Sequence, residues 1–434
     1  MDRRTLLAAT GALFAVSLAG CLGDETADDE NGDGTGNPPP RPSADPSVTD
    51  DVLRELATGN ATFATDLYRE LATDDKENLF FSPYSISAAL AMTYAGAAGE
   101  TATEMEETLH FTLADDLHEA FAAMAHELID REAVEDGQDG DEVDAFVIRV
   151  VNALWGREGY PFRQEFLELL EEYYGAGLKE ADFSNDPDGE RERINAWVAD
   201  ATEDRIDELL PDGSIPSNTV FVITNAIYFL ASWLSEFDPD ETENEPFTAL
   251  DGSESTVPMM HQHLEASYAD LDDVEAVELQ YVGGEVSMVL LLPEEDTFEA
   301  FEQSLDADRL FAVFDELSRA AGDLAMPRFE IESSIPLSEV LRDMGMERPF
   351  GDADFSGMVE NGGGIWIDEI YHDAVVTVDE EGTEAAAATA VVGVDSVPPD
   401  WGELRFDRPF IFCIRDRPTD AVLFLGRVGV VEAE

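Results

Sequence analysis

The sequence predicts an α+β protein, and three observations support this prediction. Helix-type apolar spacing dominates the first half of the chain, whereas β-branched apolar runs dominate the second half. The two patterns do not alternate as they would in a parallel βαβ fold. The 44% share of hydrophobic residues is enough for a packed core. We expect this core in residues 49–434, a folded domain of 434 − 48 = 386 residues.

The first folded element is predicted to be an amphipathic helix. Apolar residues three, four or seven positions apart lie on one helical face. The first such set is Leu53, Leu56, Phe63, Leu67 and Leu71. The runs SISAALAMTYAGAA and LHEAFAAMAHELI predict two further helices, and more are expected around residues 162–174 and 190–210.

Strands are predicted wherever β-branched and apolar residues run together. The runs VDAFVIRVVNALW and VFVITNAIYFL have the composition of buried central strands. The second half adds five strand-like runs: VEAVELQYV, EVSMVLLLP, GIWIDEIYHDAVVTVDEE, LRFDRPFIFCIRD and AVLFLGRVGVV. Cys413 lies inside the fourth of these and is expected to be a buried, unreactive thiol.

The charge of the chain is extreme. The sequence has 97 Asp and Glu against 24 Lys and Arg, a net charge of −73. Such a surface repels nucleic acid and anionic membranes, so neither is expected as a partner. Only Lys76 and Lys179 are lysines, and the acid is spread along the whole chain. Molar salt shortens the screening length to ~3 Å, so the repulsion between these carboxylates nearly vanishes there. We therefore interpret the composition as that of a halophile's protein.

The N-terminal residues predict an export signal. Arg3 and Arg4 precede an uncharged stretch, Thr5 to Gly20, which is shorter than the roughly 20 residues of a membrane span. A charged head, an apolar middle and small residues at the end are typical of such signals. The paired arginines, followed by Thr-Leu-Leu, resemble a twin-arginine signal.

The end of this leader resembles a lipobox. In Leu18-Ala19-Gly20-Cys21, cleavage would precede the cysteine and its thiol would receive lipid. We therefore predict that residues 1–21 are the signal. The protein would be anchored at Cys21 to the outer face of the cytoplasmic membrane, or be extracellular. A plain secretory signal with an incidental cysteine and an uncleaved anchor are the open alternatives.

Residues 22–48 are predicted to form a disordered tether. They are rich in Asp, Gly and Pro and almost without apolar residues, so nothing there offsets the entropy of ordering. The cluster Asp28–Gly36 lacks the full spacing and closing glutamate of a calcium loop. The acidic run near residues 135–144 is interpreted as an exposed loop. No metal site is predicted.

Motifs of enzyme catalysis are missing from the sequence. It contains no G-x-S-x-G, H-E-x-x-H, P-loop or G-x-G-x-x-G motif. His261 and His263 are only two residues apart and fit a surface strand better than a metal site. We therefore predict no enzyme, no catalytic residue and no cofactor.

The segment 376–410 has an unusual pattern. In an extended chain, residues two apart share a face. One face here would be entirely small or apolar: Thr383, Ala385, Ala387, Thr389, Val391 and Gly393. Glu384 lies on the other face, and Pro398 and Pro399 end the pattern. A plain flexible loop is the simpler interpretation, but the alternation favours a loop that can become a buried strand.

Four motifs in this sequence resemble those of the serpin family. They are the hinge EEGTEAAAATA, the signature-like LRFDRPFIFCI, the early block from Asn78 to Phe111, and TNAIYFLASW from Thr224 to Trp233. The resemblance spans nearly all of residues 50–434. It implies the serpin fold, with a five-stranded central sheet, two further sheets, about nine helices and an exposed reactive loop.

The resemblance also implies a mechanism. A serine protease cuts the loop and forms an acyl-enzyme. The loop then inserts into the central sheet as an extra strand, carrying the protease across the molecule and distorting its active site. The inhibitor is a suicide substrate that contributes no catalytic group. Its contribution is a sheet left one strand short.

The resemblance assigns roles to particular residues. The hinge comprises Glu380, Glu381, Gly382, Thr383, Glu384, Ala385, Ala386, Ala387 and Ala388. A hydrogen-bonded group under the sheet, here called the shutter cluster, comprises Ser82, Ser85, Asn225 and His372. A second group where the loop enters, the breach, comprises Arg328, Glu380 and Trp233. The simpler alternatives are a partly exposed His372 and a solvated Arg328–Glu380 surface pair.

The bait sequence suggests the class of protease. Fourteen residues beyond Gly382, the family's spacing places the scissile bond at Ser396–Val397, to within about two residues. The segment VVGVDSV has no basic or aromatic residue at the cut, which argues against a trypsin-like target. An elastase- or subtilisin-like protease fits better, although Asp395 is unusual there.

Other partners are not expected. The early helices are acidic, so we predict no glycosaminoglycan cofactor, and a monomer. The main rival is a non-inhibitory serpin-fold surface binding module, although such proteins tend to have charged or bulky residues where Thr383 and the alanines stand. A lipid-anchored enzyme is a second rival, for which the sequence shows no site.

Overall fold

The computed structural model describes residues 41–44, 46–72, 78–131, 133–136, 142–175, 177–360, 364–383 and 398–432. In these residues it has nine α-helices and sixteen strands. The helices are α1 Asp50–Leu71, α2 Pro83–Tyr94, α3 Gly99–Thr108, α4 Leu117–Asp130, α5 Gln164–Tyr174, α6 Pro187–Ala201, α7 Phe298–Gln303, α8 Ala307–Glu316 and α9 Ser338–Asp343.

The strands are concentrated in the second half of the chain, as the sequence predicts. They are β1 Leu79–Phe81, β2 Ala133–Asp136, β3 Glu142–Arg157, β4 Lys179–Ala181, β5 Phe221–Ser232, β6 Glu243–Thr248, β7 Glu254–Leu271, β8 Val274–Gln280, β9 Val286–Pro293, β10 Ser318–Pro327, β11 Phe329–Pro336, β12 Ile370–Val378, β13 Gly382–Thr383, β14 Asp400–Arg405, β15 Phe410–Asp416 and β16 Ala421–Val428.

The central sheet has the strand order β11-β12-β5-β3, and both β2 and β4 pair with β3. The two-residue strand β13 is added to β5. β12 and β5 run parallel, and most other neighbours are antiparallel. The predicted α+β class is therefore confirmed.

The two further sheets form one continuous nine-stranded sheet. The long strand β7 joins them, because it pairs with β6 and β10 along its first part and with β8 at its end. The main apolar core lies between this sheet, the central sheet and helices α1 and α2. Cys413 is fully buried there, and burial raises the pKa of its thiol to about 12, which keeps it protonated.

A smaller apolar cluster lies under α6, on the outer face of the central sheet. It includes Trp155 of β3 and Ile194 and Val198 of α6. The helix expected over 190–210 ends at Ala201, because Glu203 and Asp204 adopt positive φ angles. The strand expected from Gly364 begins only at Ile370, since the preceding residues are irregular.

The last residues of the predicted tether contact the folded domain. Pro42 is buried, and the backbone N–H of Ala44 donates to the carbonyl of Glu172 at 2.9 Å. Pro42 packs against an apolar surface of the domain. The composition of the segment could not predict this contact, because it does not describe the surface that the segment meets. Residues 22–40 of the predicted tether, and the leader with Cys21, lie outside the described residues.

Two features are absent from the described ranges of the chain. No helix there is both long and apolar enough to cross a bilayer. No group of three or more His, Cys, Asp or Glu side chains is arranged to hold a metal ion in the same ranges.

Candidate functional site

The two middle strands of the central sheet are paired along only part of their length. β12 pairs with β5 from Ile370 to Ala374, opposite Ile223 to Ile227. β12 continues to Val378 and β5 continues to Ser232, beyond the end of this ladder. The upper parts of these strands therefore flank a cleft, and residues Tyr228, Phe229, Val375 and Thr377 line a cavity there.

The predicted hinge enters this cleft from the top. After β12 the chain turns back, and Gly382 and Thr383 pair antiparallel with Ser232 and Ala231 of β5. Thr383 is only 1% exposed. The chain direction is the one that a strand lying between β5 and β12 would need. The hinge therefore begins such a strand within the described residues.

Gly382 is required by its backbone geometry. Its φ of +149° lies in a region that residues with side chains rarely adopt. A Cβ atom there would lie 2.7 Å from the Cα of Ser232 and 2.9 Å from the backbone nitrogen of Trp233. A glycine thus allows the hinge to approach β5 closely.

The turn between β12 and β13 is held by backbone contacts with the residues that follow β5. The N–H of Trp233 donates to the carbonyl of Glu381 at 2.9 Å, and that of Phe237 donates to the carbonyl of Glu380 at 2.9 Å. The Trp233 indole N–H donates to the Asp379 carbonyl at 3.0 Å. The turn has few ways to move without breaking several of these bonds.

Glu380 is the buried anion of the breach. Its side chain is 5% exposed, and Arg328 donates to its carboxylate at 2.6 Å. Thr242 donates a second hydrogen bond to the same oxygen. Burial alone would raise the pKa of Glu380, but these hydrogen bonds outweigh it and lower the pKa below its ordinary value. The pair is therefore more enclosed than the solvated surface pair considered above.

An aromatic pair links the breach to the hinge. Trp233 stacks on Tyr281 with ring centroids 4.6 Å apart and an interplanar angle of 7°. The Tyr281 hydroxyl lies 3.1 Å from the Thr383 hydroxyl, within hydrogen-bond distance. Thr242 and Tyr281 were not among the residues predicted from sequence.

The four residues of the shutter cluster lie together under the central sheet, each fully buried. The backbone N–H of Ser82 donates to Nε2 of His372 at 3.0 Å. Nδ1 of His372 contacts Oδ1 of Asn225, whose amide group donates to Oγ of Ser85 at 2.8 Å. The cluster joins β12, β5 and the start of α2.

The geometry of the cluster fixes the state of His372. Since Nε2 accepts a hydrogen bond, the proton of the neutral ring must be on Nδ1, where it is donated to Asn225. Burial lowers the pKa of His372 to about 3, so the ring is neutral at ordinary pH. The imidazole is thus a buried connector between adjacent strands, not a partly exposed strand residue.

A fifth member of this cluster, Asn152 of β3, was not predicted. Its Oδ1 accepts from Asn225 at 2.7 Å, and its Nδ2 donates to the carbonyl of Ser85 at 3.0 Å. The signal was present in the sequence, because Asn152 is the uncharged polar residue in the largely apolar run VDAFVIRVVNALW. Buried amides need partners, so such a residue marks a polar site.

Several predicted residues lie outside the described part of the chain. They are Glu384, Ala385, Ala386, Ala387, Ala388, Ser396, Val397 and Cys21. The described part of the site contains the beginning of the hinge, the breach and the shutter cluster. The hinge starts an extra strand on β5, and the buried polar groups of the shutter cluster connect β5 with β12.

The family of this chain follows from comparison with known proteins. A model of the family "Serpin (serine protease inhibitor)" matches residues 58–430. The chain belongs to the serpin family. The hinge, breach and shutter cluster all lie within the matched region.

Three similar proteins show the range of the resemblance. A serpin-like protein of Thermococcus kodakarensis, described as uncharacterised, is 39% identical over 98% of this chain and 98% of that protein. Leukocyte elastase inhibitor A of Rattus norvegicus is 36% identical over 87% of this chain and 99% of the relative. The solved structure of thyroxine-binding globulin with thyroxine is 30% identical, covers 87% of this chain and 99% of the other, and has a TM-score of 0.73.

These relatives have different roles. By their names, one inhibits an elastase and another binds thyroxine. As a family of protease inhibitors, serpins are not catalytic enzymes, which agrees with the prediction that this chain is not one. Family membership alone therefore does not distinguish an inhibitor from a binding protein. The hinge sequence and its position in the structure are what separate the two functions.

Proposed function

We propose that this protein inhibits serine endopeptidases as a suicide substrate. The observation that supports this most directly is the position of Gly382 and Thr383, which start a new antiparallel strand on β5 at the mouth of a cleft. Thr383 is buried, and the next residues of its face in the sequence are all small or apolar. A loop with this hinge can continue into the sheet without burying a charge.

The proposed sequence of events is the one that the resemblance to serpins implies, and this geometry supports it. The protease serine attacks the scissile carbonyl, and the peptide bond breaks to leave an acyl-enzyme and a free amino terminus on the distal side. The freed loop then pairs with β5 and β12 as an added strand. Each new backbone hydrogen bond contributes ~0.5–1.5 kcal/mol, so insertion is strongly favourable. The attached protease is moved and deformed before water can hydrolyse the ester.

The direct test is incubation with a panel of serine proteases in molar salt. An inhibitor of this kind gives a covalent complex that survives SDS, together with some cleaved chain. No complex with any protease, despite cleavage in the loop, would support the alternative of a non-inhibitory serpin-fold surface binding module.

We predict that Thr383→Arg turns the inhibitor into a substrate. An arginine at this buried position places an uncompensated charge at the first step of insertion, which costs at least several kcal/mol. The acyl-enzyme would then be hydrolysed before the loop inserts, and the ratio of cleaved chain to complex would rise. Thr58→Arg, the same change on an exposed face of α1, is the matched control. An equal ratio in both variants would contradict insertion as the driving step.

The proposed target is an elastase- or subtilisin-like protease, cut at or near Ser396–Val397. The support is the bait sequence, which is small and partly apolar. Mass spectrometry of the cleaved chain from the same panel would locate the bond. No glycosaminoglycan, nucleic acid or other cofactor is proposed, and the inhibitor would act as a monomer.

The proposed location is outside the cytoplasm of a halophile, with Cys21 joined to lipid at the outer face of the cytoplasmic membrane. The support is the leader sequence and the charge of −73. We predict that Cys21→Ser releases the chain into the medium or leaves it unprocessed, because lipid can no longer be attached. Cys413→Ser, at the buried thiol, is the control for loss of a sulfur. Unchanged processing and membrane association in Cys21→Ser would contradict the lipoprotein proposal.

A further inference from the structure

The segment Arg41–Ala44, here called the strap, lies at an apolar groove on one side of the domain. Pro42 is buried in this groove, although its neighbours Arg41 and Ser43 are exposed. Helices α2, α4 and α5 and strand β3 form the walls. The aromatic part of the lining comprises Tyr84, Phe121, Tyr173 and Tyr174.

The residue type in the groove suits its chemistry. Proline has no N–H, so burying its ring leaves no unpaired donor in an apolar site. Aromatic-lined grooves bind extended proline-bearing segments in many proteins, because such segments lose little entropy on binding. The groove thus has the character of a peptide site, and Pro42 has the character of its anchor.

The strap also completes the hydrogen bonding of α5. The last carbonyls of a helix lack partners within the helix. Ala44 donates its N–H to the carbonyl of Glu172 at 2.9 Å, in the last turn of α5. On the opposite side, Nε2 of His126 in α4 lies 2.8 Å from the carbonyl of Ala44, and must be the donor. The strap therefore connects α4 and α5 through directed contacts as well as apolar ones.

The inner wall of the groove reaches the shutter cluster. Asn152 of β3 lines the groove and is the same residue that binds Asn225 and Ser85. Ile148 and Val150, on the same strand, line it too. A filled groove thus holds β3 against α2 next to the polar cluster that joins β3, β5 and β12.

We propose that this groove is a binding site for a proline-bearing extended segment, that the strap occupies it in cis, and that occupation favours the closed central sheet. The last part rests on the proposed function, because it concerns the entry of the loop strand. A ligand can shift a conformational equilibrium only through different affinities for the two states. We expect such a difference for the strap, because a strand that enters between β5 and β12 would move β5 and its neighbour β3 away from β12, and β3 forms one wall of the groove.

The test uses the full chain with two variants that weaken the contacts of the strap and one control. Pro42→Asp places a charge in the groove, and His126→Leu removes the donor to Ala44. Ser47→Asp, an exposed change three residues beyond the strap, is the matched control. The first readout is amide hydrogen exchange of residues 146–154 in β3. The second is the rate at which the intact chain takes up a synthetic peptide of residues 383–396.

We expect both Pro42→Asp and His126→Leu to exchange about fivefold faster in β3 than the wild type, with the control unchanged. A synthetic peptide of residues 37–48 should restore protection to Pro42→Asp, and the same peptide with alanine for Pro42 should not. Equal exchange in all variants would overturn the proposed site. Faster exchange without faster uptake of the loop peptide would overturn its link to the sheet. Neither readout needs a protease, so both can be judged if inhibition itself fails.

Discussion

His372 is a single residue whose environment makes the stability of the protein depend on pH. Its ring is neutral and hydrogen-bonded at both nitrogens inside the shutter cluster. Burial lowers its pKa to about 3, whereas an unfolded histidine titrates near 6.5. Below pH 6.5 the unfolded chain binds a proton that the folded chain excludes. The free energy of unfolding therefore falls as the pH falls from about 6.5 toward 3.

We predict that His372 alone removes about 2 kcal/mol of stability between pH 7.5 and pH 5. His372→Gln should be less stable at neutral pH but should lose less stability over this interval. The measurement is the free energy of unfolding against pH at one molar salt concentration. His263→Gln, at a histidine with a 70% exposed side chain, is the control. A pH slope unchanged in His372→Gln would contradict the neutral, buried ring.

Two other buried groups also make the free energy of unfolding depend on pH, so the effect of His372 must be measured as the difference between wild type and variant. Burial lowers the pKa of His118 to about 4, which adds to the loss in acid. Burial raises the pKa of Asp373 to about 6, which acts in the opposite direction, because the folded chain then binds the proton more tightly. Both effects are present in wild type and variant, so the difference in slope belongs to His372.

The site residues that could be predicted from the sequence are those that lie in motifs resembling the family's. Ser82, Ser85, Asn225 and His372 lie in motifs, and the structure brings them together. The buried amide of Asn152 could have been suspected from the apolar run around it, but its partners could not. Tyr281 lies in ordinary strand-like sequence, and its importance depends on a contact with the distant Thr383. Such contacts are set by sheet register, which a single sequence does not contain.

At the scale of elements, strand β13 is the element on which the proposed inhibition depends. It has only two residues, but it lies where a full strand would enter between β5 and β12. The turn before it is held by Trp233 and Phe237, and Arg328 and Thr242 hold Glu380. The hinge is therefore already positioned for insertion, and the groups beside it hold it in place.

We predict that Gly382→Ala expels β13 from the top of the sheet. The added Cβ would collide with the backbone of β5, and the positive φ would be strained as well. Loop insertion should slow, and the ratio of cleaved chain to protease complex should rise severalfold. Gly177→Ala is the control, because a Cβ there meets no atom within 4 Å. Inhibition by Gly382→Ala equal to that of the control would show that this pairing plays no part.

Elements with strong periodicity could be predicted from sequence, and their ends could not. The amphipathic α1 and the buried β5 lie where the pattern places them. The helix α6 stops earlier than predicted because two acidic residues take positive φ, which no apolar spacing reveals. The docking of the strap was missed because composition describes a segment by itself and not by the groove it meets.

At the scale of the whole molecule, the proposed inhibitor is a chain one strand short of its most stable sheet. The net charge of −73 makes the stability depend on salt, because molar salt shortens the screening length to ~3 Å. Any comparison of two states must therefore be made at one salt concentration. Cleavage near Ser396 leaves composition and charge almost unchanged, so it isolates the effect of the added strand.

The measurement that tests the central claim most directly is thermal unfolding before and after clean cleavage of the loop, at one fixed molar salt concentration. A strand of about nine residues that pairs on both edges and buries its small face is worth on the order of 10 kcal/mol. We predict that the cleaved protein unfolds roughly ten degrees or more above the intact one. An equal or lower unfolding temperature after cleavage would contradict it, and would favour a serpin fold that binds without inhibiting.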